Sequence, residues 1–134
     1  MRLTPSFGEI LFADLPFDGS VQGGIRPVLV VQNNIGNRHA PTVEILPLSS
    51  RVTKCSHLPT HVFISPDENN GLARDSIILA ENVRTIPIER LLKSVGTIDD
   101  GIMVQVAKAR LIQSPLPYFS AEPNVGSNQS TDVV

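Results

Sequence analysis

The chain has no tryptophan, only 4% aromatic residues, a single cysteine and no long apolar segment. The scarcity of aromatic side chains excludes an extended stacking platform for single-stranded nucleic acid, although a few bases could stack on Phe17 or His39. One cysteine excludes a disulfide framework within the chain, and we interpret Cys55 as a small loop or core residue. No run of about 18 apolar residues is present, so no membrane-spanning helix is expected.

Positive charge is not in excess either, since the 134 residues carry a formal net charge of -2. This balance excludes a protein that coats nucleic acid through bulk charge, but it allows a small local basic site. The length suits one domain with a sizeable core. The first six residues lack the apolar block of a signal peptide. Together these features predict a soluble cytoplasmic protein.

The most distinctive stretch is a glycine-rich loop, residues 19–24, that leads directly into an apolar strand. Arg26-Pro27 stands at the junction, where the loop stiffens into the strand. Arginine is always charged, and its donors are arranged in a fork that matches phosphate geometry. The loop lacks the Gly-Lys-Ser/Thr ending of a P-loop, so a nucleotide-triphosphate site is not expected. We therefore predict that Arg26 meets a phosphodiester.

Six apolar segments, bounded by turn residues, predict short strands. These segments are residues 8–15, 28–32, 42–48, 61–64, 76–81 and 83–86. The continuous apolar run at 28–32 is typical of a strand buried on both faces. Pro47 cannot donate a ladder hydrogen bond, so we expect it at an edge or a bulge. Residues 33–38 are rich in asparagine and predict a turn.

The last third of the chain predicts helical structure followed by a polar tail. A short helical turn is expected over residues 87–93. Residues 97–100 have the form of a capping box, with Asp100 in place of the usual Glu or Gln, and apolar residues continue at helical spacing to Gln113. Residues 115–134 are predicted to be a disordered tail after a domain of residues 1–114. The predicted fold is mainly β with a C-terminal helix, in a small, strongly bent, barrel-like sheet.

Histidine is the first candidate for acid–base chemistry, because it titrates near neutral pH. His61 begins a predicted strand and is assigned a structural role, and His39 and His57 lie in predicted loops. They are not paired as two-histidine ribonuclease chemistry requires. No cluster of ligands has metal-binding spacing, and Asp99-Asp100 is better explained as charge at a helix start, so neither a metal nor another cofactor is expected.

Five sequence blocks in order resemble the MazF/PemK family of toxin endoribonucleases from bacterial toxin–antitoxin pairs. They lie at residues 8–15, 19–30, 32–42, 58–62 and 75–86, and the resemblance extends over roughly residues 7–112. It implies an SH3-like barrel of the plasmid-maintenance-toxin type, a homodimer, and metal-free, sequence-specific cleavage of single-stranded RNA such as mRNA. It also implies a cognate antitoxin that covers the RNA groove, and no specific DNA binding by the toxin alone.

The resemblance further implies a catalytic pair made of Arg26 and a hydroxyl near the end of the third strand. The family's threonine position falls on Ser49, and about one extra residue before Leu58 leaves Ser50 as an alternative. The residues that match family RNA contacts are Phe17, Ser20, Gln22, Pro27, Glu81 and Asn82. Val21 replaces an acidic residue that is usual in close relatives, which implies a different sequence preference.

Metal-free RNA cleavage uses the 2′-hydroxyl of the substrate as the nucleophile and leaves a 2′,3′-cyclic phosphate and a 5′-hydroxyl. Arginine stays protonated near neutral pH, so Arg26 suits charge stabilisation rather than general-base catalysis. The Ser49 hydroxyl can donate a hydrogen bond to a nonbridging oxygen or relay a proton.

Two alternatives stay open. A catalytically weak or inactive homologue would bind RNA or antitoxin, as Ser49 and Val21 suggest. A non-enzymatic gyrase inhibitor similar to CcdB would end in a tryptophan-containing helix, and this chain has no tryptophan.

Overall fold

The computed structural model describes residues 3–17, 23–52 and 58–116, so Ser20, Val21, Gln22, Cys55 and His57 lie outside the described residues. The described part contains seven strands, two helices and one 3₁₀ turn. In chain order these are β1 (Glu9–Leu15), β2 (Gly24–Val30), α1 (Asn34–His39), β3 (Thr42–Ser49), β4 (His61–Ile64), β5 (Ser76–Leu79), β6 (Arg84–Pro87), the 3₁₀ turn (Ile88–Arg90), β7 (Leu91–Thr97) and α2 (Asp100–Gln113). A mainly β fold with a C-terminal helix is confirmed.

All strand pairs are antiparallel, and the sheet has the order β4-β5-β3-β2-β1-β7, with β6 paired to β3 beside this path. Strand β3 changes partner along its length. Thr42 to Ile45 pair with β6, whereas Leu48 and Ser49 pair with β5. Within the described residues β4 and β7 do not pair with each other, so the bent sheet is open rather than a closed barrel.

Pro47 lies inside this sheet and not at its edge, which corrects part of the sequence-based expectation. It is paired with Val28 of β2 on one side of β3. On the other side the pairing with β6 has ended at Ile45 and the pairing with β5 begins only at Leu48. The Glu44 carbonyl accepts from the Val31 N–H just after β2, so the backbone polar groups of Glu44 are directed toward β2. These groups alternate in direction along a strand, so the backbone nitrogen of Pro47, three residues later, is directed away from β2 and toward this gap. A residue without an N–H therefore stands where no ladder bond is made.

Two apolar cores cover the opposite faces of the central strands. The first, which we call the α2 core, joins Ile10, Leu29 and Leu46 to Met103 and Val106 of α2. The second, the β6 core, lies on the other face and is formed by residues from β1, β2, β3, β6, the 3₁₀ turn and β7. Successive residues of β2 enter different cores, and the prediction of a strand buried on both faces is confirmed at residues 28–31.

The asparagine-rich segment after β2 forms the short helix α1 and not only a turn. The Asn33 side chain caps it by accepting from the Gly36 N–H at 2.8 Å. Asn37 is fully buried. Its amide donates to the Gln32 carbonyl at 3.0 Å, and its side-chain oxygen accepts from the Gln32 amide at 3.2 Å. The side chains of this segment thus satisfy each other and fix α1 against β3.

Two further expectations about the last third of the described chain are only partly correct. The helical turn predicted over residues 87–93 stops at Arg90, and Leu91–Thr97 forms β7 by pairing with β1. The N-cap of α2 is Asp99 rather than Thr97, because the Asp99 carboxylate accepts from the Ile102 N–H at 2.9 Å. The interpretation of Asp99-Asp100 as charge at a helix start is confirmed. No helix in the described residues is long and apolar enough to cross a membrane.

Candidate active site

A cavity of about 430 Å³ opens at the start of β2, where the glycine-rich loop joins the strand. Its apolar lining includes Phe12, Pro27, Leu48 and Leu72, contributed by β1, β2, β3 and the loop between β4 and β5. Arg26 lines it as well. The cavity is within the range of about 300–1,000 Å³ that is usual for small-ligand sites.

Arg26 is half-buried and lies within β2, since this strand begins at Gly24, four residues earlier than predicted. Its Nε–H donates to the Gly23 carbonyl at 3.3 Å. A Cβ on Gly23 would lie 2.7 Å from the Phe17 nitrogen, so only glycine allows these two backbone segments to approach so closely. The base of the loop is therefore tight, and the arginine is held by the backbone of the loop.

The two candidate serines lie at the end of β3, with Ser49 as its last residue and Ser50 directly after it. The register between β2 and β3 pairs Val28 with Pro47, and continuing it by two residues would set Arg26 opposite Ser49. The Ser49 Oγ accepts from the Arg51 N–H at 3.2 Å. Ser50 is exposed and lines the cavity together with Arg26. The strand register thus favours Ser49, and the cavity wall favours Ser50.

The other residues predicted to contact substrate are not brought together in this cavity, apart from Pro27. Phe17 is 76% exposed and packs beside Gly23 at the base of the loop. Glu81 and Asn82 lie in the turn after β5 and do not line the cavity. Ser20 and Gln22 belong to the loop outside the described residues.

Glu81 is held by two neighbouring side chains. The Thr60 hydroxyl donates to Oε1 at 2.9 Å, and His61 Nε2 lies 3.0 Å from Oε2. The His61 side chain is only 5% exposed, and its Nδ1 is buried without a hydrogen-bond partner among the described residues. The structural role expected for His61 agrees with this placement, because the ring orients the carboxylate.

The outer wall of the cavity is the loop between β4 and β5, and it is firmly fixed. The buried Asn70 side chain donates to the Ser65 carbonyl at 2.9 Å and accepts from the N–H groups of Asp67 and Leu72. Gly71 has φ +67°, and a Cβ there would overlap the Val95 carbonyl oxygen on β7. This loop is therefore in direct backbone contact with β7.

Sequence reasoning missed two cations of the cavity, Arg74 on this loop and Lys93 on β7. Arg74 is four residues beyond the anchoring Asn70, and Lys93 is paired with Phe12 of β1. Lys93 lies in the segment that the sequence predicted as a helical turn, and Arg74 lies between two predicted strands where no element was predicted. Among the described residues, no group of three or more His, Cys, Asp or Glu could hold a metal ion.

Comparison with known proteins adds a family to this geometry. A sequence profile described as "PemK-like, MazF-like toxin of type II toxin-antitoxin system" matches residues 6–113. Endoribonuclease EndoA of Bacillus subtilis strain 168 is 46% identical over 113 residues, which cover 84% of this chain and 96% of that protein.

Solved structures agree with the fold. An endoribonuclease in complex with its cognate antitoxin, from a mycobacterial species, is 25% identical with a TM-score of 0.65, covering 86% of this chain and 97% of that one. MazF of Deinococcus radiodurans has a TM-score of 0.68 at 22% identity, covering 81% of this chain and 94% of that one, which shows a shared fold alone.

Proposed function

Because the chain belongs to the family of PemK-like, MazF-like toxins of type II toxin–antitoxin systems, we propose that it is an endoribonuclease that cleaves single-stranded RNA. The observation that carries the proposal is the position of Arg26, which lies near the start of a strand buried on both faces and lines an open cavity. The 46% identity to a protein named as an endoribonuclease supports the same activity.

The proposed reaction is metal-independent and begins with attack of the ribose 2′-hydroxyl on the adjacent phosphorus. The 2′-hydroxyl loses its proton as the new P–O bond forms, the P–O bond to the 5′-oxygen breaks, and the 5′-oxygen gains a proton, so the products are a 2′,3′-cyclic phosphate and a 5′-hydroxyl. Negative charge increases on the nonbridging oxygens of the phosphorane during this step. A fixed guanidinium stabilises this charge most where solvent is partly excluded. Arg26 supplies that cation, and its bond to the Gly23 carbonyl orients it before substrate binds.

The hydroxyl partner is proposed to be Ser49, which would lie opposite Arg26 if the pairing of β2 with β3 continued by two residues. It would donate a hydrogen bond to a nonbridging oxygen or relay a proton. Substitution of Ser49 with alanine should then lower kcat more than the same substitution at Ser50. The opposite result would assign the role to Ser50, which lines the cavity.

The remaining parts of the proposal concern substrate contacts and partners. Phe17, Ser20, Gln22, Pro27, Glu81 and Asn82 are proposed to contact RNA. The protein is proposed to act in the cytoplasm as a homodimer formed by the domain of residues 1–114, with a cognate antitoxin as partner. An antitoxin complex of a structural relative supports this last point.

The decisive experiment uses purified protein and a long RNA of defined sequence, on which the cut ends are mapped. An oligonucleotide containing the mapped site is then compared with one that has a single 2′-deoxy substitution at the scissile nucleotide. We expect cleavage of the first only, and a loss of about 100-fold or more in kcat for Arg26→Ala with unchanged folding. Equal cleavage of the deoxy substrate would refute the mechanism, and full activity of Arg26→Ala would refute the assignment.

A further inference from the structure

Three cationic side chains, Arg26, Arg74 and Lys93, line one cavity, and no carboxylate among the described residues lines it. The whole chain has a net charge of -2, so this concentration of positive charge is local. Ion pairs in the described part of the chain include those of Arg90, Arg110 and His61, and neither Arg74 nor Lys93 takes part in one. Like charges grouped without a counter-charge favour the binding of an anion.

A carboxylate that hydrogen-bonds to a residue lining this cavity, that of Glu9, already has both oxygens engaged. The Ser94 hydroxyl donates to Glu9 Oε2 at 2.6 Å, and Glu9 Oε1 accepts from the Ser6 N–H at 2.9 Å. Ser94 lines the cavity next to Lys93, whereas Glu9 does not. The lysine is therefore left available to a ligand.

The two added cations stand on rigid elements. Lys93 lies in β7 and is paired with Phe12, whose ring is part of the apolar lining. Arg74 follows the loop segment that Asn70 and Gly71 fix against β7. Cations on fixed backbone bind an anion with a smaller loss of conformational entropy than cations on a freely moving loop.

We infer that Arg74 and Lys93 form a second phosphate position, which binds a backbone phosphate of the RNA strand other than the one cleaved beside Arg26. The apolar wall between the cations would accept the faces of a ribose or a base. The inference rests on the proposed function, because it takes RNA as the ligand of this cavity. These two residues are binding residues, and the cleavage chemistry itself does not involve them.

The test measures affinity for a single-stranded RNA that carries the 2′-deoxy substitution at the mapped cut, over a series of salt concentrations. Each phosphate contact in single-stranded nucleic acid contributes about 0.7 to the slope of log affinity against log salt. The double variant Arg74→Met/Lys93→Met should reduce the slope by about 0.7, because the two cations share one phosphate, and each single variant should remove part of this amount. Lys93→Arg should retain the wild-type slope.

Matched controls are Arg38→Met and Lys108→Met, which remove exposed cations that do not line the cavity. They should leave the slope unchanged. On the cleavable substrate the two cavity variants should raise KM with little change in kcat, because the contact is equal in the ground and transition states. Thermal unfolding of each variant identifies any loss of folded protein.

Slopes of the cavity variants equal to those of the controls would overturn the inference, while RNA cleavage by the wild type would leave the proposed function intact. Conversely, if the wild type does not cleave RNA, the slopes are measured on the unsubstituted strand. Reduced slopes of the cavity variants there would support the phosphate position while the absence of cleavage refutes the proposed activity. Loss of antitoxin affinity with an unchanged RNA slope would assign these cations to a protein partner, and would also overturn the inference.

Discussion

Replacing Gly71 with alanine tests whether the loop between β4 and β5 is held in backbone contact with β7. Two effects add at this position. A φ of +67° places an L-residue in the left-handed region, which costs roughly 1–2 kcal/mol. The new Cβ would also overlap the Val95 carbonyl oxygen, so the loop or β7 must move, and overpacking of this kind costs about 1–3 kcal/mol. The expected loss in the free energy of unfolding is about 2–5 kcal/mol.

Gly24 provides the control, because it has φ +93° but nothing within 4 Å of the position that a Cβ would occupy. Gly24→Ala should therefore show only the backbone effect, about 1–2 kcal/mol. Urea denaturation of both variants, followed by far-UV circular dichroism, measures the difference. Each kcal/mol should also lower the midpoint of thermal unfolding by about 4 °C in a domain of this size. Equal destabilisation of the two variants would refute the close contact between Gly71 and Val95.

Three further perturbations test the fold around the site. Asn37→Ala should destabilise the protein by about 2–4 kcal/mol in urea titrations, since the partly buried Gln32 loses the hydrogen bonds that it makes with this fully buried amide, and a loss below about 1 kcal/mol would contradict the network. Asp99→Ala should cost about 1 kcal/mol through the lost N-cap, whereas Asp100→Ala should cost less; equal losses would argue against Asp99 as the cap. Arg110→Met should cost under about 1 kcal/mol, because its 2.7 Å pair with Glu44 is about one-third exposed; a double-mutant cycle with Glu44→Gln measures the coupling, and a larger value would contradict this expectation.

Much of the sheet could be predicted from the sequence, because its strands are short apolar runs with clear turn signals. β7 could not be, since only Leu91 among its seven residues is buried and the segment lacks a period-2 apolar pattern. Its strand conformation comes from pairing with β1, which is distant in sequence. Helix α1 was not predicted because Gly36 and the three asparagines of this segment have low helix propensity and favour turns. The Asn33 cap and the buried Asn37 stabilise the helix nevertheless.

The candidate site was predictable on one side only. Arg26 and Pro27 stand out because glycines precede them and a buried strand follows, and the structure places both on the cavity wall. Arg74 and Lys93 reach the same cavity through the contact of the β4–β5 loop with β7, a tertiary feature without a local sequence signal. Whether Ser49 or Ser50 serves as the hydroxyl depends on how the β3 register continues at its end, which local patterns do not specify.

The burial of β2 on both faces has a consequence for how the protein unfolds. Val28, Leu29 and Val30 are each 0% exposed, and their amides lie between two other strands and two apolar layers. Exchange of these amides with deuterated solvent should require global opening, so they should be among the slowest to exchange. Arg26, two residues before Val28, thus belongs to the strand that should unfold last. Partial unfolding of α2 or of the outer strands would leave its backbone in place.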